Sequence, residues 1–242
     1  MTDAAAEPTP TKAGLWEDFI DIFTQPSVVF ERRRDGAFGL ALLILVVVSG
    51  ILFFALHNGL APIMDAEMAK AAAAMAAKNP SITPDQIASQ QAMMEKFAGI
   101  GFIIFLPIGI TIGAVLLWLA GKVIGASVAF AAAMMITTYS YVPRVVETVL
   151  NAIQGLLLSP ESITSRYSVQ IGPARFLDAA SANPVLLAVL GGLDLFTIWT
   201  TVLLAIGLAV VARVPRSKAA IAAGAVWLIS LLPGLYQAIS QG

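Results

Sequence analysis

The sequence predicts an all-α integral membrane protein, and three observations carry that prediction. First, 58% of the 242 residues are hydrophobic and only 12% are charged, whereas a soluble domain carries roughly 25% charged residues. Second, the apolar residues fall in blocks of about 20, the length needed to cross a bilayer as a helix. Third, lysine and arginine gather on alternate sides of those blocks, as the insertion rule for short loops requires. The net charge of −1 gives no general attraction to nucleic acid. With no cysteine in the chain, disulfides, thiolate nucleophiles and cysteine metal sites are excluded.

Residues 1–12 are rich in Ala, Thr and Pro and are expected to be disordered. Residues 13–37 read as a cytoplasmic element. Trp16, Phe19, Ile20 and Phe23 recur at helical spacing, with Glu17, Asp18 and Asp21 on the other face. That pattern predicts a short amphipathic helix lying in the membrane interface, ended by Pro26. Arg32, Arg33 and Arg34 follow and are expected to sit among anionic headgroups. This segment is either a topology anchor or a docking surface for a protein partner.

Residues 38–242 hold five predicted spans. The first, 38–56, is uninterrupted by charge. The second, 97–120, contains Pro107, which a membrane helix tolerates where neighbours satisfy the freed carbonyl. The third runs from 127 to about 150, or on to 158, and contains Pro143, Arg144 and Glu147. The fourth, 184–212, contains Asp194. The fifth is 219–239. Arg32–Arg34, Lys122, and Arg213, Arg216 and Lys218 then fall on one side, which places the amino terminus in the cytoplasm and the carboxyl terminus outside.

The outer connections are about 58–96 and 159–183. Within the first, an alanine-rich stretch predicts a helix, with Met64, Met68 and Met75 near one face as packing residues rather than soft-metal ligands. Thr83-Pro84-Asp85-Gln86 has the form of a capping box with proline at the first helical position. A helix starting there and running into the second span either projects from the membrane or breaks near Gly99 or Gly101.

The charges inside the predicted spans are the candidate site. An aspartate at a helix centre costs about 2.5–3.5 kcal/mol on insertion, and an intramembrane ion faces a partner in the bundle. Depth along the two spans brings Asp194 level with Arg144, and Glu147 stands one turn from Arg144. A buried polar cluster of Asp194, Arg144 and Glu147 is therefore expected, with Tyr139, Tyr141 and Asn151 nearby. It serves either as a clamp between two helices or as a site for a proton, ion, headgroup or partner helix. Gly109 and Gly113 form a GxxxG, and Gly191, Gly192 and Gly207 permit further close packing. His57, the single histidine, reads as an interfacial residue. No catalytic or phosphate-binding motif is present in the sequence, and no cofactor is expected.

The order of these segments resembles a known family. "FTQPSVVFERRRDGAFGLALLILVVVS", "GASVAFAAAMMITTYSYVPRVVETVL" and "LDLFTIWTTVLLAIGLAVVARVPRSKAAIAAGAVWLI" are similar to the lead-in and first span, the third segment and the last two spans of the Yip-domain (Rab/Ypt-interacting protein) family of multipass membrane proteins. The resemblance implies a five-span fold with a cytoplasmic amino terminus and a non-enzymatic role in membrane organisation or trafficking-type partner binding. Eukaryotic members are associated with Rab-type GTPases. The Ala/Gly-rich composition and short cytoplasmic turns look bacterial, which implies a bacterial cytoplasmic membrane and no Rab partner. The expected partners are the lipid bilayer and either a protein at the cytoplasmic face or a second copy of the chain. A small channel or transporter built on Asp194, Arg144 and Glu147 is the alternative function.

Overall fold

Ten α-helices and three short 3-10 turns make up the computed structural model, which describes residues 14–79, 81–179 and 181–241; no strand occurs among them. The disorder expected of residues 1–12 lies outside the described residues. Three helices are long and apolar enough to cross a membrane: α5 (Pro84–Val123), α9 (Leu195–Ala212) and α10 (Arg216–Gln241). A fourth crossing is available if α3 (Gly39–Ala55) and α4 (His57–Lys78), which meet at an 85° bend, count as one broken span.

The first predicted span coincides with α3. The alanine-rich helix begins earlier than expected, at His57, directly after the elbow. The capping box forms: Gln86 N–H donates to Thr83 Oγ1 at 3.3 Å, and Thr83 N–H donates to Gln86 Oε1 at 3.0 Å. From there α5 continues through Gly99, Gly101 and Pro107 for 40 residues, roughly 60 Å. It therefore projects beyond the roughly 30 Å hydrocarbon core rather than breaking at the glycines.

Two predicted spans are not single helices. The third divides into α6 (Phe130–Ser140) and α7 (Pro143–Leu157). Pro143 has no N–H to continue the ladder and takes the first position of a new helix instead. The fourth divides into α8 (Pro184–Gly191) and α9, separated by Gly192, Leu193 and Asp194. Each break falls where a residue favours starting a helix over continuing one.

The amino-terminal segment also departs from expectation. α1 (Leu15–Thr24) and α2 (Pro26–Arg32) form a hairpin that packs into the bundle rather than lying against its surface. Ile22, Val29 and Phe30 are fully buried in the same core as Leu117, Ile136 and Leu208. Phe19 and Phe23 point inward against Tyr139 and Trp199, with ring centroids 5.8 and 5.4 Å apart. Trp16 and Ile20 point outward, 67% and 69% exposed. The four apolar residues read as one face are thus split between two.

Small residues set the closest approaches. A Cβ on Gly207 of α9 would lie 2.5 Å from Ile136 of α6 and 3.1 Å from Phe30 of α2, so three helices converge on that glycine. A Cβ on Gly155 of α7 would lie 1.8 Å from the Gly59 carbonyl oxygen of α4. Of the predicted GxxxG, Gly113 meets Thr137 while Gly109 faces open space.

Candidate functional site

Asp194 is almost fully buried, with 1% of its surface exposed. It is neither mid-helix nor paired with Arg144. It is the N-cap of α9. Its Oδ1 accepts the N–H groups of Phe196 at 2.9 Å and Thr197 at 3.2 Å. Its Oδ2 accepts the N–H of Ile171 at 3.2 Å, from the connection that follows α7. The Leu195 N–H donates back to the Ile171 carbonyl at 2.9 Å. Four backbone N–H groups, one backbone carbonyl and one carboxylate are thereby satisfied together. An anion at a helix N-terminus also meets the positive end of the helix dipole. The charge that looked out of place in an apolar run is satisfied by amides, not by a guanidinium. Gly172 makes the approach possible, since a Cβ there would lie 3.1 Å from both the Asp194 Cα and the Leu193 carbonyl oxygen.

Arg144 and Glu147 do meet. Arg144 Nη1 donates to Glu147 Oε2 at 2.8 Å, one turn apart on α7. Arg144 Nη2 donates to Thr197 Oγ1 at 2.9 Å. The hydroxyl of Thr197 thus serves Arg144 while its N–H serves Asp194. The three predicted residues occupy one neighbourhood, but Thr197 stands between the cation and Asp194, and no direct Arg144–Asp194 ion pair occurs among the described residues. Tyr139, expected beside this cluster, instead packs on Phe19, within reach of the charges of Asp18 and Arg33.

A second polar cluster lies in the amino-terminal hairpin. Asp18, predicted to face water, is fully buried. Its Oδ1 accepts from Arg32 Nη1 at 2.8 Å and its Oδ2 from Arg33 Nε at 2.6 Å. Arg32 also pairs with Asp21, and Arg34 with Glu31 at 2.9 Å. Burial works against the charge on Arg33, but the hydrogen bond to Asp18 and the neighbouring Tyr139, Asp18 and Asp35 together more than offset it, leaving the Arg33 pKa raised. The arginine triplet is thus neutralised within the chain rather than offered to anionic headgroups. Arginine forks suit this use because one guanidinium can serve two carboxylates.

The structure brings forward residues that composition and depth did not single out: Thr197 as the bridge, Ile171 as the loop partner, and Asp18 as a buried acid. A signal existed for the first two. Gly191-Gly192-Leu193-Asp194 places helix-breaking glycines and a preferred N-cap residue just before an apolar run. Asp18 has a weaker one, three basic residues a fixed distance downstream across a proline turn.

Among the described residues there is no group of three or more His, Asp and Glu side chains arranged to hold a metal ion. His57 lines a cavity at the α3–α4 elbow together with Met64, Glu95 and Lys96. A family model described as the Yip1 domain matches residues 20–236. Neither curated proteins nor solved structures yield a match.

Proposed function

The chain belongs to the Yip1 domain family, and from that premise we propose that it is a non-enzymatic membrane protein that organises or recruits a protein partner at the cytoplasmic face. In this reading the break at Tyr141–Val142 lies within a fifth crossing made of α6 and α7. The amino terminus is then cytoplasmic and the membrane is that of a bacterium, in keeping with the composition and the distribution of basic residues.

The observation that carries the proposal is the surface of the α1–α2 hairpin. Its charges Asp18, Asp21, Glu31, Arg32 and Arg34 are engaged in internal ion pairs. What it offers outward includes a set of large apolar side chains, Trp16, Ile20 and Val28, which is 43% exposed, beside the exposed polar residues Glu17, Gln25, Ser27 and Glu31. An element held rigidly by ion pairs and displaying an aromatic anchor has the character of a binding surface. A photo-crosslinking residue at position 16, activated in native membranes, tests it. Recovery of one cross-linked protein species supports recruitment. Exclusive cross-linking to lipid refutes it and leaves the hairpin as an anchor.

A second reading rests on a separate observation. The hydroxyls of Thr137, Ser140 and Thr200 are buried without a hydrogen-bond partner among the described residues. They lie on α6 and α9, and buried hydroxyls call for water or an ion. A channel or transporter would use such groups. Proteoliposome flux abolished by Arg144→Gln and Thr200→Val would favour that reading over recruitment.

A further inference from the structure

The end of the bundle opposite the Arg213–Arg216 turn holds a pocket of about 450 Å³ between α4, the connection before α8, α8 itself and the last turns of α10. Its walls differ in chemistry. One is charged and aromatic: Lys70 from α4, with Arg166 and Tyr167 from the connection. The other is apolar: Leu187 and Ala188 of α8 and Ala238 of α10. The outward face of α10 below it is apolar as well, with Leu232, Tyr236 and Ile239 exposed.

Both cations stand against one aromatic ring, and neither forms an ion pair among the described residues. Tyr167 is wedged against α8, since a Cβ on Gly191 would lie 2.3 Å from its ring. The Arg166 guanidinium sits 5.0 Å from the centre of that ring and donates to the Tyr167 hydroxyl at 3.1 Å. The Lys70 ammonium lies 5.9 Å from the same ring. Neither cation has a carboxylate within ion-pair distance among the described residues. Glu67, the carboxylate in the lining, turns one oxygen to the Arg166 backbone N–H at 2.8 Å and so fixes the loop. Two positive side chains therefore share the lining with one partly committed acid, Glu67, whose charge reaches Arg166, in a pocket beside an apolar helix.

We propose that this pocket binds a glycerophospholipid, with Lys70 and Arg166 on the headgroup phosphate and an acyl chain along α8 and α10. The amphiphilic lining decides between a lipid and a free anion. A soluble phosphate has no use for the wall of Leu187, Ala188 and Ala238, whereas a lipid needs both walls. The proposal goes beyond the recruitment reading and does not depend on it, because it concerns the other end of the molecule.

The test is native mass spectrometry of the delipidated full chain in detergent, titrated with dioleoyl-phosphatidylglycerol. Dioleoylglycerol, which lacks the phosphate, and inorganic phosphate are run alongside. One phosphatidylglycerol per chain is expected to bind more tightly than dioleoylglycerol and to resist millimolar phosphate. Lys70→Gln and Arg166→Gln are each expected to weaken it roughly fivefold, from about 1 kcal/mol per basic residue near a membrane surface. Lys70 is exposed, so its change leaves the fold intact. Gly234→Leu supplies an independent variant. Gly234 lines the pocket and its Cβ would meet nothing within 4 Å, so a leucine there is expected to take up pocket space and displace the lipid. Equal binding of phosphatidylglycerol and dioleoylglycerol, or no loss in either charge variant, would overturn the proposal. Displacement by inorganic phosphate would assign the pocket to a free anion and overturn it as well.

Discussion

The Ile171 N–H donates to Asp194 Oδ2 at 3.2 Å, and this bond ties the long connection after α7 to the first turn of α9. The same carboxylate caps that turn through its other oxygen. One side chain thus decides where a helix begins and what packs over its end.

Asp194 substitutions should therefore rank by hydrogen-bonding capacity rather than by charge. Asn keeps an oxygen for the Phe196 and Thr197 amides but turns an NH₂ toward Ile171, losing the loop contact. Ala loses both. The expected order of thermal stability in detergent is Asp, then Asn, then Ala, with the Ala variant down by at least the 0.5–2 kcal/mol of a lost cap. Asn and Ala melting at the same temperature would show that charge, not capping, is what matters.

Arg144 should be energetically coupled to Glu147 and Thr197, and only weakly to Asp194. A double-mutant cycle of Arg144→Gln with Glu147→Gln is expected to show a coupling of about 0.5–3 kcal/mol, the range for residues in contact. The cycle of Arg144→Gln with Asp194→Asn should be additive to within about 0.5 kcal/mol. Urea or heat denaturation of the four variants in each cycle measures this.

Asp18→Asn should be the most damaging single change in the amino-terminal hairpin. It leaves Arg32 and Arg33, each about three-quarters buried or more at the side chain, facing a neutral amide. Breaking a buried pair from one side costs about 3–5 kcal/mol, and the partial exposure of the arginines places this case at the lower end. Asp21→Asn removes one partner of Arg32 and should cost less. Limited proteolysis between α2 and α3 reports the loosening, and an Asp18→Asn hairpin as resistant as the parent would contradict it.

Gly155→Ala should push α7 away from α4, because the added carbon would occupy the position of the Gly59 carbonyl oxygen. A loss of about 1–3 kcal/mol is expected for overpacking. Gly109→Ala, with open space at its Cβ, should be neutral or slightly stabilising, since alanine is the better helix former. A thermal melt that separates these two glycine changes by several degrees checks both.

Where propensity and pattern act locally, the sequence was legible. The capping box at Thr83 and Gln86 formed as written, and the apolar blocks that became α5, α9 and α10 are long enough to span. The errors came where two local signals competed. In residues 184–212 hydropathy argues for one long helix, while Gly191, Gly192 and Asp194 argue for a break and a new start. The second signal won because Ile171, distant in sequence, stood ready to bond the exposed ends. The Asp18 cluster was misread for a related reason. A charged residue on a short amphipathic helix belongs in water unless two guanidinium groups come to it, and those come from α2 and the turn after it.

Taken alone, the sequence determined that this chain is helical, that several of its helices suit a bilayer, and which residues start some of them, Pro84 after the Thr83 cap above all. Those properties follow from composition, period and caps, which act over a few residues. The tertiary structure alone decided which polar groups meet. Asp194 turned to backbone amides rather than Arg144, Thr197 came between them, and the arginine triplet folded back on the acids of its own hairpin. A buried charge takes whichever partners the packing delivers to it, and that delivery depends on where distant segments cross.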